Sequence, residues 1–235
     1  MRILITGANR GLGYEFVKQY LDRGDEVIAA ARVPKKTEML GALEQKYDNF
    51  LALYQLDVTD LKSIQVMREN VEIRFESLDL LINNAAIISG GLKKTYSLGD
   101  LHSENIAEVF NVNAIAPLMM AEEFAEILSR GNDAKIVNIT SKMGSIGSRT
   151  GASHYSYCAS KAALNMFSRL LSFDLKERGI VVLALHPGHV KTDMGGSAAP
   201  LEAEVSIRGM ISVIDSITEA DSGKFLDWEG GEIPW

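Results

Sequence analysis

The sequence predicts an α/β fold in which helices cover both faces of a doubly wound parallel sheet. This prediction rests on three observations. Apolar, β-branched runs recur along the 235 residues, and segments with helical periodicity separate them. Such alternation favours right-handed crossovers, which cover a parallel sheet on both sides. No linker rich in Pro, Gly and Ser divides the chain, so residues 1–235 are expected to form a single domain.

Seven apolar, β-branched runs are predicted strands, and they cover residues 2–5, 26–31, 50–58, 78–82, 135–139, 180–185 and 224–228. Six segments have helical periodicity, at 11–22, 38–47, 61–75, 101–129, 156–178 and 202–217. Glycine-bearing stretches at 89–99, 144–153 and 195–200 are predicted loops. In an open α/β sheet the ligand crevice lies outside the carboxyl ends of the strands, so most of these loops are expected to border it.

Composition narrows the function classes. The chain is 46% hydrophobic but has no apolar run near the ~18 residues of a membrane span. A net charge of -7 argues against nucleic acid as the main partner. The single cysteine, Cys158, fits a reducing compartment, and a strand at the N-terminus leaves no room for a signal peptide. The expectation is a cytoplasmic protein without membrane or nucleic-acid partners.

The stretch Thr6-Gly7-Ala8-Asn9-Arg10-Gly11-Leu12-Gly13 links the first predicted strand to the first predicted helix. A glycine turn of this kind lets backbone N–H groups at the helix N-terminus meet a pyrophosphate, because a Cβ would block the turn or the ligand. A plain strand-to-helix connector is the alternative. The cofactor-binding residues predicted in this turn are Gly7, Asn9, Arg10, Gly11, Leu12 and Gly13.

The end of the second predicted strand indicates which dinucleotide binds. An acidic residue there would accept hydrogen bonds from the adenosine ribose, whereas an arginine attracts a 2′-phosphate. The sequence has Ala31-Arg32, and Arg10 in the glycine turn is expected to reach the same phosphate. We therefore predict NADP(H) as the cofactor. The alternative is that Arg32, Lys35 and Lys36 form a solvated basic surface.

Tyr157 and Lys161 stand four positions apart, which places them on one face of a predicted helix. A nearby ammonium is expected to lower the tyrosine pKa and make the phenol a useful acid or base, and the same lysine can bind the nicotinamide ribose. Such a pair is frequent by chance in helices, and its place after the fifth strand favours the catalytic interpretation. Tyr155 is rejected because Ala159 stands four residues after it.

Ser141 follows the fifth predicted strand, where a hydroxyl can donate to a substrate carbonyl oxygen together with Tyr157. Thr140 and Ser145 are weaker candidates, and a turn-forming role for Ser141 is the alternative. Fifteen residues, 142–156, separate Ser141 from Tyr157 and are expected to form part of the substrate rim.

Four ordered motifs span residues 6–192: T-G-x-x-x-G-x-G, N-N-A-A at 83–86, Y-x-x-x-K, and P-G-x-V-x-T at 187–192. Together they resemble the short-chain dehydrogenase/reductases. The arginine at the strand end, the short loop after Thr192 and the ending at 223–235 are similar, more narrowly, to the C-factor and sniffer-type carbonyl reductases. The resemblance implies a Rossmann fold with strand order 3-2-1-4-5-6-7. Ala86 departs from the family's usual glycine.

The resemblance also implies residue roles. Asp57 would accept from the adenine amino group with Val58 beside the ring, and Asp60 or Thr59 is also a helix cap. Asn113, in N-x-x-x-P register with Pro117, would hold a water linked to Lys161, unless it or Asn111 only accompanies a bend. The remaining cofactor contacts lie at the ends of the fourth and sixth strands: Asn84, Ala85, Pro187, Gly188, Val190 and Thr192.

Two histidines, His186 and His189, have no cysteine or carboxylate cluster in the sequence to complete a metal site, so no metal is predicted. Cys158 is expected to be a small buried hydrophobe. The substrate-lining residues predicted are Met143, Ser145, His154, Met194 and positions 89–92, and none of them indicates a substrate charge.

The implied activity is NADPH-dependent reduction of a small-molecule ketone, aldehyde or quinone, by hydride transfer with Tyr157 as the proton donor. The alternative is an NADP(H)-binding signalling protein of the C-factor type with little turnover. The segments 101–129 and 156–178 match the helices by which family members form homodimers or homotetramers, although some carbonyl reductases are monomers.

Overall fold

A computed structural model describes residues 1–34, 38–88 and 98–235 of the chain. Its strands are β1 Arg2–Thr6, β2 Glu26–Ala31, β3 Leu51–Gln55, β4 Leu80–Asn83, β5 Lys135–Ile139, β6 Val181–His186 and β7 Phe225–Asp227. Its α-helices are α1 Gly11–Arg23, α2 Glu38–Tyr47, α3 Leu61–Arg74, α4 Ser103–Phe110, α5 Ala116–Leu128, α6 Tyr155–Asp174 and α7 Ala203–Ser216.

The described strands form one parallel sheet in the order β3-β2-β1-β4-β5-β6-β7, which confirms the predicted fold class and strand order. Strand side chains alternate between two cores because successive residues point to opposite faces. Ile3 and Ile5 pack with α1, α2 and α7 on one face, while Leu4 packs with α3, α5 and α6 on the other. The doubly covered sheet explains why the strands are apolar runs.

The predicted helix over 101–129 is interrupted. α4 ends at Phe110, a π-helical turn covers Asn111–Ile115, and α5 begins at Ala116 with Pro117 in its first turn. Pro117 has no N–H to donate to the carbonyl of Asn113, so the regular i+4 ladder cannot pass this point. Single π turns of this kind are frequent at functional sites.

Other predicted bounds shift by a few residues. β3 ends at Gln55 rather than at 58, because the Asp60 N–H donates to the Asp57 carbonyl at 3.2 Å and closes a turn over residues 57–60. The Asp60 carboxylate accepts the Lys62 N–H at 3.0 Å and caps α3, as predicted. Among the described helices, none is both long and apolar enough to cross a membrane. Lys35, Lys36 and most of the predicted loop at 89–99 lie outside the described residues.

Candidate active site

The glycine turn after β1 is built by close backbone approach. Gly7 has φ +64, and a Cβ on it would lie 2.9 Å from the Cα of Ala85 at the end of β4. A Cβ on Gly13 would lie 2.2 Å from the carbonyl oxygen of Gly7. Only glycine at these positions lets α1 start against the turn and the turn lie against β4. The result is a tight cradle of backbone at the N-terminus of α1, which has no space for a Cβ at position 7 or 13.

The cradle is braced by Thr6 and Asn84. The Thr6 hydroxyl, nearly inaccessible, accepts the N–H groups of Asn84 and Ala85 at 3.0 and 3.1 Å. The Asn84 side-chain amide donates to the carbonyls of Thr6 and Gly7 at 2.9 and 3.2 Å. Asn84 was predicted to contact the cofactor, and the N–H groups of its side-chain amide donate to the glycine turn itself. Thr6 was missed as a positioning residue, and its signal was its place directly before Gly7.

The opposite wall of the crevice comes from the loop after β6. A Cβ on Gly11 would lie 3.6 Å from Cγ2 of Thr192, so the glycine turn and this loop meet. The Thr192 hydroxyl accepts the Gly195 N–H at 2.9 Å. Val190 is buried, and its bridge to Leu201 uses the carbonyl of His189 and the N–H of Lys191. The N–H of Val190 is therefore not used by that bridge.

Arg10 forms an ion pair with the loop after β6. Its guanidinium is 2.9 Å from the carboxylate of Asp193, and both side chains are largely exposed. This ion pair joins the glycine turn to the loop after β6, and the expectation that Arg10 reaches the same phosphate as Arg32 stays a prediction. Asp193 was missed as its partner because the two are 183 residues apart.

Arg32 and Asp57 line one cavity of about 460 Å³ at the carboxyl ends of β2 and β3, together with Gln55, Asp60, Lys62, Ser63 and Val66. Thr59 donates its N–H and its hydroxyl to Asp57 Oδ1 at 2.9 and 2.7 Å, and these bonds lower the pKa of that carboxyl. The Asp57 carboxylate is thus a fixed acceptor. Lys62 is a second cation on this cavity that the sequence analysis did not single out.

Tyr157 lies in the first turn of α6 and is 8% exposed. Burial raises its pKa to about 12, while the hydroxyl of Ser141 acts in the opposite direction. Lys161 is 2% exposed, its Nζ is 5.9 Å from the centroid of the Tyr157 ring, and burial lowers its pKa to about 7. The expected lowering of the tyrosine pKa by an ammonium is therefore wrong for this arrangement, because burial disfavours the charged form of both groups.

Ser141 follows β5, and its Oγ accepts the Met143 N–H at 3.1 Å, so the predicted turn-forming role is present. This does not use the proton of the hydroxyl. Thr140 is a poorer candidate, because its hydroxyl donates to Asn165 at 2.7 Å inside the protein. Ser145, predicted to line the substrate site, is fully buried and bonded to Pro234 at 2.5 Å, so that prediction is wrong.

Asn113 is fully buried in the π-helical turn. Its side-chain oxygen accepts the N–H of Ile87 at 2.8 Å, and its amide donates to the Ile87 carbonyl at 2.9 Å and to the Ser160 hydroxyl at 3.1 Å. The side chain therefore fixes the segment after β4 against α6. Its main-chain carbonyl, four residues before Pro117, is the atom left without the usual helical donor.

From the sequence alone, His186, His189 and Cys158 are candidate metal ligands or core residues. The ring Nε2 of His189 is 2.9 Å from the Gly195 carbonyl, and burial lowers the pKa of His186 to about 4. The described residues contain no group of three or more His, Cys, Asp or Glu side chains that could hold a metal ion. Cys158 is half-buried and its thiol is 3.2 Å from the Ser153 carbonyl.

Three residues that were predicted to line the substrate site, Met143, Met194 and His154, are half-buried.

The chain is similar to proteins of one family in sequence and in structure. Residues 1–202 match the family model for short chain dehydrogenases. The C-signal protein of Myxococcus xanthus is 43% identical over 158 residues, 67% of this chain and 93% of that protein.

Two solved structures have the same fold over the whole chain. The NADPH-bound carbonyl reductase from chicken fatty liver is 37% identical, with a TM-score of 0.92 over 100% of this chain and 98% of that one. Carbonyl reductase Sniffer of Drosophila melanogaster is 29% identical, with a TM-score of 0.94 over 100% and 99%. With its sheet order, its glycine cradle and these matches, the chain belongs to the short-chain dehydrogenase family of oxidoreductases.

Proposed function

We propose that this protein is an NADPH-dependent carbonyl reductase that converts a ketone, aldehyde or quinone to an alcohol, with Tyr157 as the proton donor. The observation that carries the proposal is that three buried side chains converge where β5 ends and α6 begins. Ser141 and Tyr157 are each 8% exposed, and Lys161 is 2% exposed. The similarity to two carbonyl reductases favours this function over the sensing alternative.

The residues present fit a dinucleotide phosphate. The glycine cradle lets the backbone at the N-terminus of α1 come close to a pyrophosphate, and the N–H groups of the first helical turn have no partner within the helix and favour an anion. Arg32 on the 460 Å³ cavity supplies a guanidinium for a 2′-phosphate, and Asp57 supplies a fixed acceptor for an adenine amino group. Val190 offers a backbone N–H for a carboxamide. When bound, NADPH supplies the hydride that reduces the carbonyl carbon.

The protein's own part is proton delivery and charge stabilisation. With a pKa of about 12, the phenol of Tyr157 keeps its proton at neutral pH and can donate it to the carbonyl oxygen as negative charge develops there. Ser141 is the second donor to that oxygen. Lys161 donates one hydrogen bond to the Ile139 carbonyl at 2.8 Å, which leaves its other N–H groups for a nicotinamide ribose.

Asn113 has two parts in this proposal. Its side chain holds the segment after β4, and its main-chain carbonyl is the acceptor for a water that links Lys161 to solvent. The absence of an N–H on Pro117 supports the carbonyl as the acceptor, since the helix does not use it in the regular way. A proton taken from Tyr157 would be replaced along this path.

The function is tested by incubating the protein with NADPH and a panel of quinones, diketones and aldehydes, and by identifying the product by mass spectrometry. We expect NADPH oxidation that requires a carbonyl compound and yields the corresponding alcohol, or the hydroquinone where the substrate is a quinone. NADPH with deuterium at both C4 positions should give, from a ketone or an aldehyde, an alcohol with deuterium on the carbinol carbon. Unlabelled alcohol from a ketone or an aldehyde would contradict the proposal.

The cofactor preference is tested by calorimetric titration with NADPH and NADH. An arginine that holds the 2′-phosphate contributes about 1.5–3 kcal/mol, so Arg32→Gln should weaken NADPH binding by roughly 10- to 100-fold and leave NADH binding nearly unchanged. The matched control is Arg208→Gln, a surface arginine on α7 that pairs with Glu204. Equal affinity of the wild type for NADH and NADPH would refute the prediction.

A further inference from the structure

The segment that follows β7 folds back along this strand. The Asp227 carboxylate accepts the N–H groups of Glu229 and Gly231 at 3.0 and 2.8 Å and closes a turn. The N–H of Ile233 then donates to the Phe225 carbonyl at 2.8 Å. Because these bonds fix the returning chain, β7 determines where residues 234 and 235 lie.

The returning chain ends on the loop that joins Ser141 to Tyr157. The Ser145 hydroxyl lies 2.5 Å from the carbonyl oxygen of Pro234 and is fully buried. A carbonyl can only accept, so the single hydroxyl proton of Ser145 goes to Pro234, and the hydroxyl and N–H of Ser148 donate to Ser145. The N–H of Gly147 donates to the main-chain oxygen of Trp235 at 2.8 Å.

A tight turn links Ser145 to the reacting groups. The 3₁₀ turn Lys142–Gly144 is closed by the Gly144 N–H, which donates to the Ser141 carbonyl at 2.8 Å. A Cβ on Gly144 would lie 2.7 Å from the carbonyl carbon of Lys161, so the turn is pressed against α6. A displacement of Ser145 must therefore move Ser141, move α6, or break this turn.

We propose that residues 231–235 are a positioning element of the active site, which holds Ser145 so that the Ser141 hydroxyl stays directed at Tyr157. The inference rests on the proposed function. Ser145 and Trp235 are positioning residues in it, since neither is placed against a substrate. The competing explanation is that this segment only completes the small hydrophobic cluster of Ala184, Phe225 and Ile233, with the Trp235 ring stacked 5.5 Å from Phe225.

The test compares Ser145→Ala with Ser172→Ala. Ser172 is also a buried serine, and its hydroxyl donates to the Arg169 carbonyl at 2.7 Å near the far end of α6. Both variants remove one buried hydroxyl that donates to a carbonyl, but Ser145 also accepts two hydrogen bonds from Ser148, so Ser145→Ala should lower Tm more than Ser172→Ala. Only Ser145→Ala is expected to alter the reacting groups.

Two readouts separate positioning from stability. For the reduction, kcat should fall about tenfold in Ser145→Ala, because small misplacements of a catalytic group cost one to two orders of magnitude, while the Kd for NADPH stays within about twofold. The second readout is the ¹³C resonance of the Tyr157 ring carbon that bears the hydroxyl. It is assigned by its loss in Tyr157→Phe, reports the Ser141 contact without turnover, and should shift in Ser145→Ala alone.

The inference is overturned if Ser145→Ala matches Ser172→Ala in both readouts. If the wild type reduces no compound of the panel, the proposed function fails, and the Tyr157 resonance still decides this inference. If Ser145→Ala does not fold, Trp235→Ala replaces it, because this variant keeps every hydroxyl and removes only the ring that anchors the segment on Phe225. It is expected to lower kcat and shift the resonance in the same direction.

Discussion

Tyr157 and Lys161 show how burial governs the chemistry of single residues. Each is close to inaccessible, and burial moves the tyrosine pKa up to about 12 and the lysine pKa down to about 7. Both shifts have the same origin, which is the loss of solvation of the charged form. The sequence gives the spacing of the pair but not its depth, so it could not predict which influence on the tyrosine is larger.

The direction of these shifts predicts opposite pH profiles for the two directions of the reaction. Reduction needs the protonated phenol, which persists well above neutral pH, so the titration of Tyr157 should not lower kcat for reduction between about pH 8 and 10. Alcohol oxidation needs the phenolate, whose fraction below its pKa rises about tenfold per pH unit. Initial rates in both directions at saturating cofactor measure this. Because the pKa of Lys161 is itself about 7, the range above pH 8 decides the role of Tyr157, and a reduction rate that falls with a midpoint near pH 9 would argue against Tyr157 as the donor.

At the scale of elements, the turn between β1 and α1 depends on glycines in different ways. Gly13 faces the Gly7 carbonyl at a distance that no Cβ tolerates, whereas Gly41 on α2 has nothing within 4 Å of its ideal Cβ position. The two positions therefore form a natural pair for substitution.

Gly13→Ala should abolish NADPH binding and lower the free energy of unfolding, because the start of α1 must move away from the cradle. Gly41→Ala should instead raise the free energy of unfolding by about 0.5–1 kcal/mol, since alanine is the better helix former. Urea denaturation and NADPH titration measure both effects. Normal cofactor affinity in Gly13→Ala would show that the cradle is not the phosphate site.

The helix predicted over 101–129 shows the limit of periodicity at this scale. Its apolar spacing continues across Asn111–Ile115, so periodicity alone gave one long helix. The interruption arises from Pro117 and from the bonds of Asn113 to Ile87, which tertiary contacts decide. The N-x-x-x-P motif nevertheless pointed to Asn113, because asparagine has only modest helix propensity and is unusual inside a helix without a structural or functional role.

For the whole molecule, the fold could be predicted from local patterns because each strand is buried on both faces and each helix on one. The fold class and strand order are confirmed. Contacts between residues far apart in the sequence, such as Arg10 with Asp193 and Ser145 with Pro234, could not be predicted. These pairings depend on side-chain directions after folding, and no short-range pattern encodes them.

Self-association also belongs to this scale, and it stays a prediction. α6 exposes Met166, Leu170 and Phe173, with 50–59% of each residue accessible, at the i, i+4, i+7 spacing of one helix face. If this face joins two copies, light scattering should give twice or four times the chain mass of 25.7 kDa. Leu170→Lys should return the mass to 25.7 kDa, and Ile73→Lys, an exposed position on α3, should not. A wild-type mass of 25.7 kDa would contradict the prediction.

The role of Tyr157 as proton donor is decided by the rate of NADPH-dependent carbonyl reduction in Tyr157→Phe, with Tyr155→Phe as the control from the same turn of α6. Tyr155 is 37% exposed, and Ala159 stands four residues after it where Tyr157 has Lys161. Loss of the general acid should lower kcat by at least about 100-fold in Tyr157→Phe, with NADPH affinity retained, while Tyr155→Phe stays near wild type. Turnover that survives in Tyr157→Phe would contradict the assignment of Tyr157 as the proton donor.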